Sequence, residues 1–111
     1  MVEKIIYIAS PYTHPDPIEN TRKAIQIADE LLKLGYTPFV PHLTMLFNLV
    51  SPKPLEFWYA YDLKFLAKCD CVLRVGGASQ GADKEVEFAK KRGIPVFYSI
   101  SEIPCEYGCV K

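Results

Sequence analysis

Three acids crowd the start of one segment, GGASQGADKEVEFAKKRGIPV, residues 76–96: Asp83, Glu85 and Glu87. The segment passes from a glycine-rich turn into a predicted helix and then a strand. Carboxylates in the first turns of a helix complement its macrodipole, so their presence alone implies no chemistry. Their placement tells them apart. At about 100° per residue, Ala82, Val86 and Ala89 share the stripe that must face a core. Glu85 lies on the shoulder of that stripe, whereas Glu87 and Asp83 turn away. Glu85 is therefore the acid placed to be half buried at a sheet edge, where the helix start favours its charged form. A carboxylate held ionised at a crevice can act as a nucleophile. The same spacing equally allows a plain role, in which Glu85 complements the dipole or pairs with Lys84 or Lys90.

Asp62 is the second acid of interest, set among aromatic and apolar residues in WYAYDLKFL. It occupies either a solvated helix face or a position aimed at the strand edge. In the second case it pairs with Glu85, one acid staying ionised while the other holds or passes a proton. Tyr7, Ser10 and Tyr12 stand at the end of the first strand, suited to core, rim or stacking on a base. Ser79 either caps the helix that follows it or helps hold a phosphate. The loop GGASQGA can cradle a phosphate with free N–H groups. It is neither G-x-G-x-x-G nor a P-loop, which disfavours ATP hydrolysis. G-x-S-x-G is absent, and no cysteine starts a helix, so serine-hydrolase and cysteine-nucleophile chemistry are not expected. His14 and His42 fall in loops, but no third ligand of defined spacing accompanies them, and no metal or cofactor is expected. Cys69 and Cys71 read as small core hydrophobes; Cys105 and Cys109 could form a disulfide or bind metal, though C-x3-C is not the usual zinc spacing.

The elements that position these residues alternate. KIIYIA (4–9) is a β-rich run ending in the turn SPYTHPDP. A helix spans 16–34, with Asp16 as N-cap, Pro17 at N1, Glu19 completing a capping-box-like start and Gly35 as its stop. Ile18, Ile25, Ala28, Leu31 and Leu32 recur at helical spacing along it. YTPFVP (36–41) is a short strand and His42 to Pro54 is irregular. A helix over 55–67, the strand CVLRV (71–75), a helix over 80–92 and the strand IPVFYSI complete the alternation, leaving about 101–111 as a tail or edge element. This order predicts an α/β fold: a small doubly wound, flavodoxin- or Rossmann-like parallel sheet of four to five strands with three main helices. Such sheets bind ligands beyond the C-terminal strand ends, where strand order reverses. SPYTHPDP, PHLTML and GGASQG all fall there, which makes Ser10, Tyr12, His42 and Ser79 the expected substrate contacts.

Composition narrows the classes. The 111 residues carry 13 basic and 13 acidic side chains, for a formal net charge of zero, and no basic patch stands out, so no nucleic-acid partner is expected. No apolar stretch reaches about 18 residues, so no membrane span is expected. The N-terminus does not read as a signal peptide, so none is expected, and a cytoplasmic location with one domain over 1–111 is expected.

Two stretches resemble the nucleoside 2-deoxyribosyltransferase superfamily, which includes 2'-deoxynucleoside 5'-monophosphate N-glycosidases. YDLKFLAKCDCVLRV is similar to its D-L-x-x-(L/I)-x-x-x-D helix and following strand. SQGADKEVEFAKKRGIPV is similar to its G-x-x-x-E-x-x-x-A helix and G-x-P-V strand, and IYIASPY to its first strand and loop. The resemblance covers about the first 100 residues and is nearest to a small uncharacterised branch marked by S-P-Y, a proline–histidine segment and F-W-x-x-Y-D. It implies Glu85 as nucleophile, Asp62 positioning or protonating the base, and Tyr7 orienting the nucleophile. Ser79 and Gly81 match the phosphate-side loop. The implied activity is cleavage or transfer at the N-glycosidic bond of a (deoxy)nucleoside or its 5'-monophosphate, in a homodimer or higher homo-oligomer built on the apolar region Leu43 to Phe65. R-V-G-G and Glu87 depart from the usual pattern. Two other readings compete: a non-catalytic nucleotide-binding module, and a lysine-decarboxylase-like nucleotide phosphoribohydrolase, whose P-G-G-x-G-T-x-x-E motif VGGASQGADKE matches in part.

Overall fold

A computed structural model describes residues 4–108. Strand β1 (Ile5–Ala9) leads to helix α1 (Pro17–Lys33), β2 (Thr37–Phe39), the short α2 (Met45–Val50) and α3 (Leu55–Leu66). Strand β3 (Cys71–Arg74), α4 (Gln80–Lys91) and β4 (Val96–Phe97) follow. All strand pairs are parallel, in the order β2-β1-β3-β4, so strand order reverses between β1 and β3. The expected α/β parallel sheet is present, with four strands.

The alternation of β1 assigns the two faces. Ile6 and Ile8 point to α1, where they bury with Ala24, Ala28, Leu31, Cys71 and Leu73. Tyr7 and Ala9 point the other way and pack with Leu66 of α3, Val72, and Ala82 and Ala89 of α4. The residues after β4 form 3-10 turns at Ile100–Glu102 and Cys105–Tyr107 that close the α1 face: Ile103 is buried, and its carbonyl accepts from the Tyr36 hydroxyl at 3.2 Å.

Three local expectations change. In α1 the Asp16 carboxylate accepts from the N–H of Ile18 and of Glu19, as an N-cap should, but Glu19 turns to Arg22 at 3.2 Å and no capping box forms. The buried stripe of α1 is Thr21, Ala24, Ala28 and Leu31, which leaves Ile18, Ile25 and Leu32 exposed. Small alanines at the contact let the helix lie close on the sheet, and the bulkier residues are rotated outward. The stretch after β2 is also ordered: a 3-10 turn, Pro41–Thr44, runs into α2. Asn48 Oδ1 accepts from Trp58 Nε1 at 2.6 Å and from the Lys53 N–H at 2.9 Å, stapling α2 to α3 across the proline break.

Candidate active site

Helix α4 sorts its acids as the stripe requires. Ser79 caps it, its hydroxyl accepting from the Ala82 N–H at 3.1 Å. Ala82, Glu85, Val86 and Ala89 are buried, while Asp83 pairs with Arg74 at 3.3 Å and Glu87 with Lys91 at 3.1 Å at the surface. Glu85 is only 8% exposed, deeper than the half-buried shoulder its spacing suggests. Its carboxylate accepts a hydrogen bond from the hydroxyl of Tyr7, which reaches across from the centre of β1 with no solvent exposure. The crossing lies at the β1/β3 side of the sheet, where the order reverses.

Burial pushes the Glu85 carboxyl up to about 7; the Tyr7 hydrogen bond and the positive charge of Arg74 act in the opposite sense, and the Asp62 charge adds to the rise. Tyr7 is raised far above an ordinary phenol, by burial first and then by Glu85 and Asp62, so it keeps its proton and acts only as a donor to Glu85. Asp62, from α3, is likewise pushed up to about 7 by burial. Its Oδ1 is buried with no hydrogen-bond partner among the described residues. An unpaired buried oxygen favours the protonated acid over the carboxylate. The site therefore holds two carboxyls that both titrate near neutrality.

A second group forms at the ends of β1 and β2. His42 is buried, and its Nε2 lies 2.9 Å from the Pro11 carbonyl oxygen and 3.2 Å from Ser10 Oγ. A carbonyl only accepts, so Nε2 carries the hydrogen. Burial lowers the His42 pKa and favours the neutral ring, whose Nδ1 is buried with no hydrogen-bond partner among the described residues. Tyr12 stands edge-on to His42 at 5.6 Å, and its phenol is raised by burial and then by the charge of Asp62. Asp62 thus acts on both groups.

Tyr7, Asp62 and Glu85 come together, and Ser10, Tyr12 and His42 adjoin them. Ser79 spends its hydroxyl on the cap, and Gly81 has open space around the position a Cβ would take, with Ser79 Oγ at 3.9 Å. Among the described residues no group of three His, Cys, Asp or Glu side chains could hold a metal, and Cys109 lies outside them. Cys69 and Cys71 are buried free thiols held protonated by burial, at about 11 and about 12.

Sequence reasoning passed over two features. Phe39 and Phe65 extend an aromatic wall outward from Tyr7, with ring centroids 5.8 Å and 5.5 Å apart in succession, and Tyr61 continues it at 5.1 Å. The other is Arg74. Its guanidinium donates to the carbonyls of Val75 at 2.6 Å and Gly77 at 2.8 Å as well as to Asp83, tying the glycine loop to α4. A basic residue closing an otherwise apolar strand was the visible signal.

A family model described as "Domain of unknown function (DUF7768)" matches residues 4–99. The chain belongs to this family. A comparison with curated proteins finds no match. A solved 2-deoxyribosyltransferase from the psychrotolerant bacterium Bacillus psychrosaccharolyticus superposes with a TM-score of 0.59 at 23% identity. The alignment covers 93% of this chain and 79% of that one. This similarity establishes that the DUF7768 chain shares the fold of that enzyme. Among the described residues of this family member, no helix is long and apolar enough to cross a membrane.

Proposed function

We propose that this protein cleaves the N-glycosidic bond of a 2'-deoxynucleoside or its 5'-monophosphate, passing the sugar to water or to a second base. The observation that carries this reading is the buried Tyr7–Glu85 hydrogen bond at the switch point, with Asp62 close enough for its charge to act on both. The fold shared with a 2-deoxyribosyltransferase supports it.

In this mechanism Glu85 is ionised and Asp62 protonated when substrate arrives. A Glu85 oxygen forms a bond to the anomeric carbon as the carbon–nitrogen bond breaks, through an oxocarbenium-like state. The bond's electron pair leaves with the base, which takes the proton of Asp62. Water or an incoming base then attacks the same carbon, Glu85 departs as carboxylate and Asp62 accepts the proton. This is the two-carboxylate logic of retaining glycosidases. Tyr7 holds the nucleophilic oxygen in place, and the aromatic wall of Phe39, Tyr61 and Phe65 supplies a face on which a base can stack. Ser10, Tyr12 and His42 contact the substrate from the opposite rim, and the loop at Ser79 and Gly81 faces a 5'-phosphate.

Incubation with deoxynucleosides and their monophosphates, followed by chromatography of the free base, tests the proposal. Release should fall at least about 1000-fold in Glu85→Ala, as on removal of a nucleophile, and persist in Glu87→Ala. No release from any of these, with thermal stabilisation by the same ligands, would instead leave a nucleotide-binding module. We also propose that the protein self-associates through the region from Leu43 to Phe65, where Leu43, Leu46, Leu49, Val50 and Leu55 are exposed. A strictly monomeric mass by light scattering at micromolar concentration would contradict this.

A further inference from the structure

The glycine loop after β3 separates two cavities. One of about 930 Å³ lies on the α4 side, between Arg74, Asp83 and Lys90. The other, of about 320 Å³, lies on the α1 side and is lined by Ser10, Lys23 and Ala24, and by the loop residues Gly76, Gly77 and Ala78. Neither is lined by Tyr7, Asp62 or Glu85.

Arg74 sets the direction of the loop's peptide groups. Arg74 pairs in register with Ala9, whose side chain faces α3 and α4, and its guanidinium draws the carbonyls of Val75 and Gly77 toward itself. In a trans peptide the N–H points opposite to the C=O. The N–H groups of Gly76 and Ala78 therefore point away from Arg74, and both residues line the α1-side cavity. Those of Gly76, Gly77 and Ala78 have no acceptor among the described residues. Lys23, on the α1 wall of the same cavity, has no ion-pair partner there either. Gly76 keeps the loop in place: its φ is +84°, and a Cβ there would sit 2.7 Å from Pro11 Cδ. Pro11 and Gly76 both line this cavity.

We infer that the α1-side cavity is an oxyanion site, in which Lys23 and the N–H groups of Gly76 and Ala78 bind a phosphate group. Unpaired N–H groups converging from a glycine loop form an anion-binding concavity, and the lysine supplies the net charge. The site is distinct from the Ser79 and Gly81 positions and stands whether or not Glu85 is a nucleophile. Its phosphate comes either from a nucleotide or from a separate small phosphate ligand.

Calorimetry with inorganic phosphate tests the inference. Binding should weaken about tenfold or more in Lys23→Glu, while the surface control Lys33→Glu and the active-site variant Glu85→Gln bind as the wild type does. Lys23 is exposed, so its reversal leaves the fold intact, and unchanged secondary structure by circular dichroism checks this. A further arm identifies the source: if Lys23→Glu weakens binding of a deoxynucleoside monophosphate but not of the deoxynucleoside, the phosphate is the nucleotide's own. Equal binding of the monophosphate by both proteins, with phosphate binding lost, marks a separate ligand. Absent phosphate binding at millimolar concentration, or binding unmoved by Lys23→Glu, overturns the site.

Discussion

The two faces of the sheet are built from neighbouring residues of the same strand, and both are apolar, but only one also buries acids. On the α1 face, Ile6 and Ile8 meet Ala24, Ala28 and Leu31 in an apolar cluster. On the other, Tyr7 stands beside them in sequence yet meets a buried carboxylate from α4, near a second acid from α3. One residue of alternation thus separates an apolar contact from one that also buries a carboxylate within a hydrophobic cluster. Burying Glu85 and Asp62 is unfavourable to their charged forms.

The sharpest way to break this contrast is to damage the apolar cluster on the α1 face. Leu31→Ala removes a side chain with no exposure and should cost about 3 to 4 kcal/mol by urea denaturation, without altering how stability varies with pH. Glu85→Gln should do the reverse. Its carboxyl is raised from the ordinary 4.5 to about 7 in the folded protein, so between these pH values the folded state holds a proton that the unfolded chain has lost. The stabilising contribution is complete below about pH 4.5 and disappears as pH rises through 7. At pH 8 the wild type bears the burial cost and Glu85→Gln does not, so the variant should be more stable by on the order of 2 kcal/mol while losing activity. A variant less stable than wild type at pH 8 would place Glu85 among the residues that hold the fold. Tyr7→Phe gives the smallest effect. It removes the hydrogen bond that favours the Glu85 anion, so the acidic limb of the rate profile should move to higher pH, lowering the rate about tenfold at pH 6 and less at pH 8.

Much of this was legible in the chain. Asp16 and Pro17 mark the start of α1, and Gly35 and Gly93, both at positive φ, mark helix ends. The stripe of Ala82, Val86 and Ala89 singled out Glu85 from Asp83 and Glu87, because helical periodicity fixes which side chains a sheet can cover. Other features depend on neighbours distant in sequence. The Tyr7–Glu85 bond joins residues 78 apart, and periodicity says nothing about what lies opposite. The α1 stripe was misplaced because apolar size competes with closeness of packing: alanines won the contact and isoleucines were left outside. Arg74's grip on the glycine loop is set by loop conformation, which β-strand patterning does not encode.

Whether Glu85 forms the sugar bond can be read directly. A single turnover with a deoxynucleoside or monophosphate that releases base is quenched in acid, and the peptide containing Glu85 is weighed by mass spectrometry. That peptide should carry the added mass of one 2-deoxyribosyl group or its 5-phosphate, absent from Glu85→Gln. An unmodified peptide together with base release by Glu85→Gln at the wild-type rate would contradict the assignment.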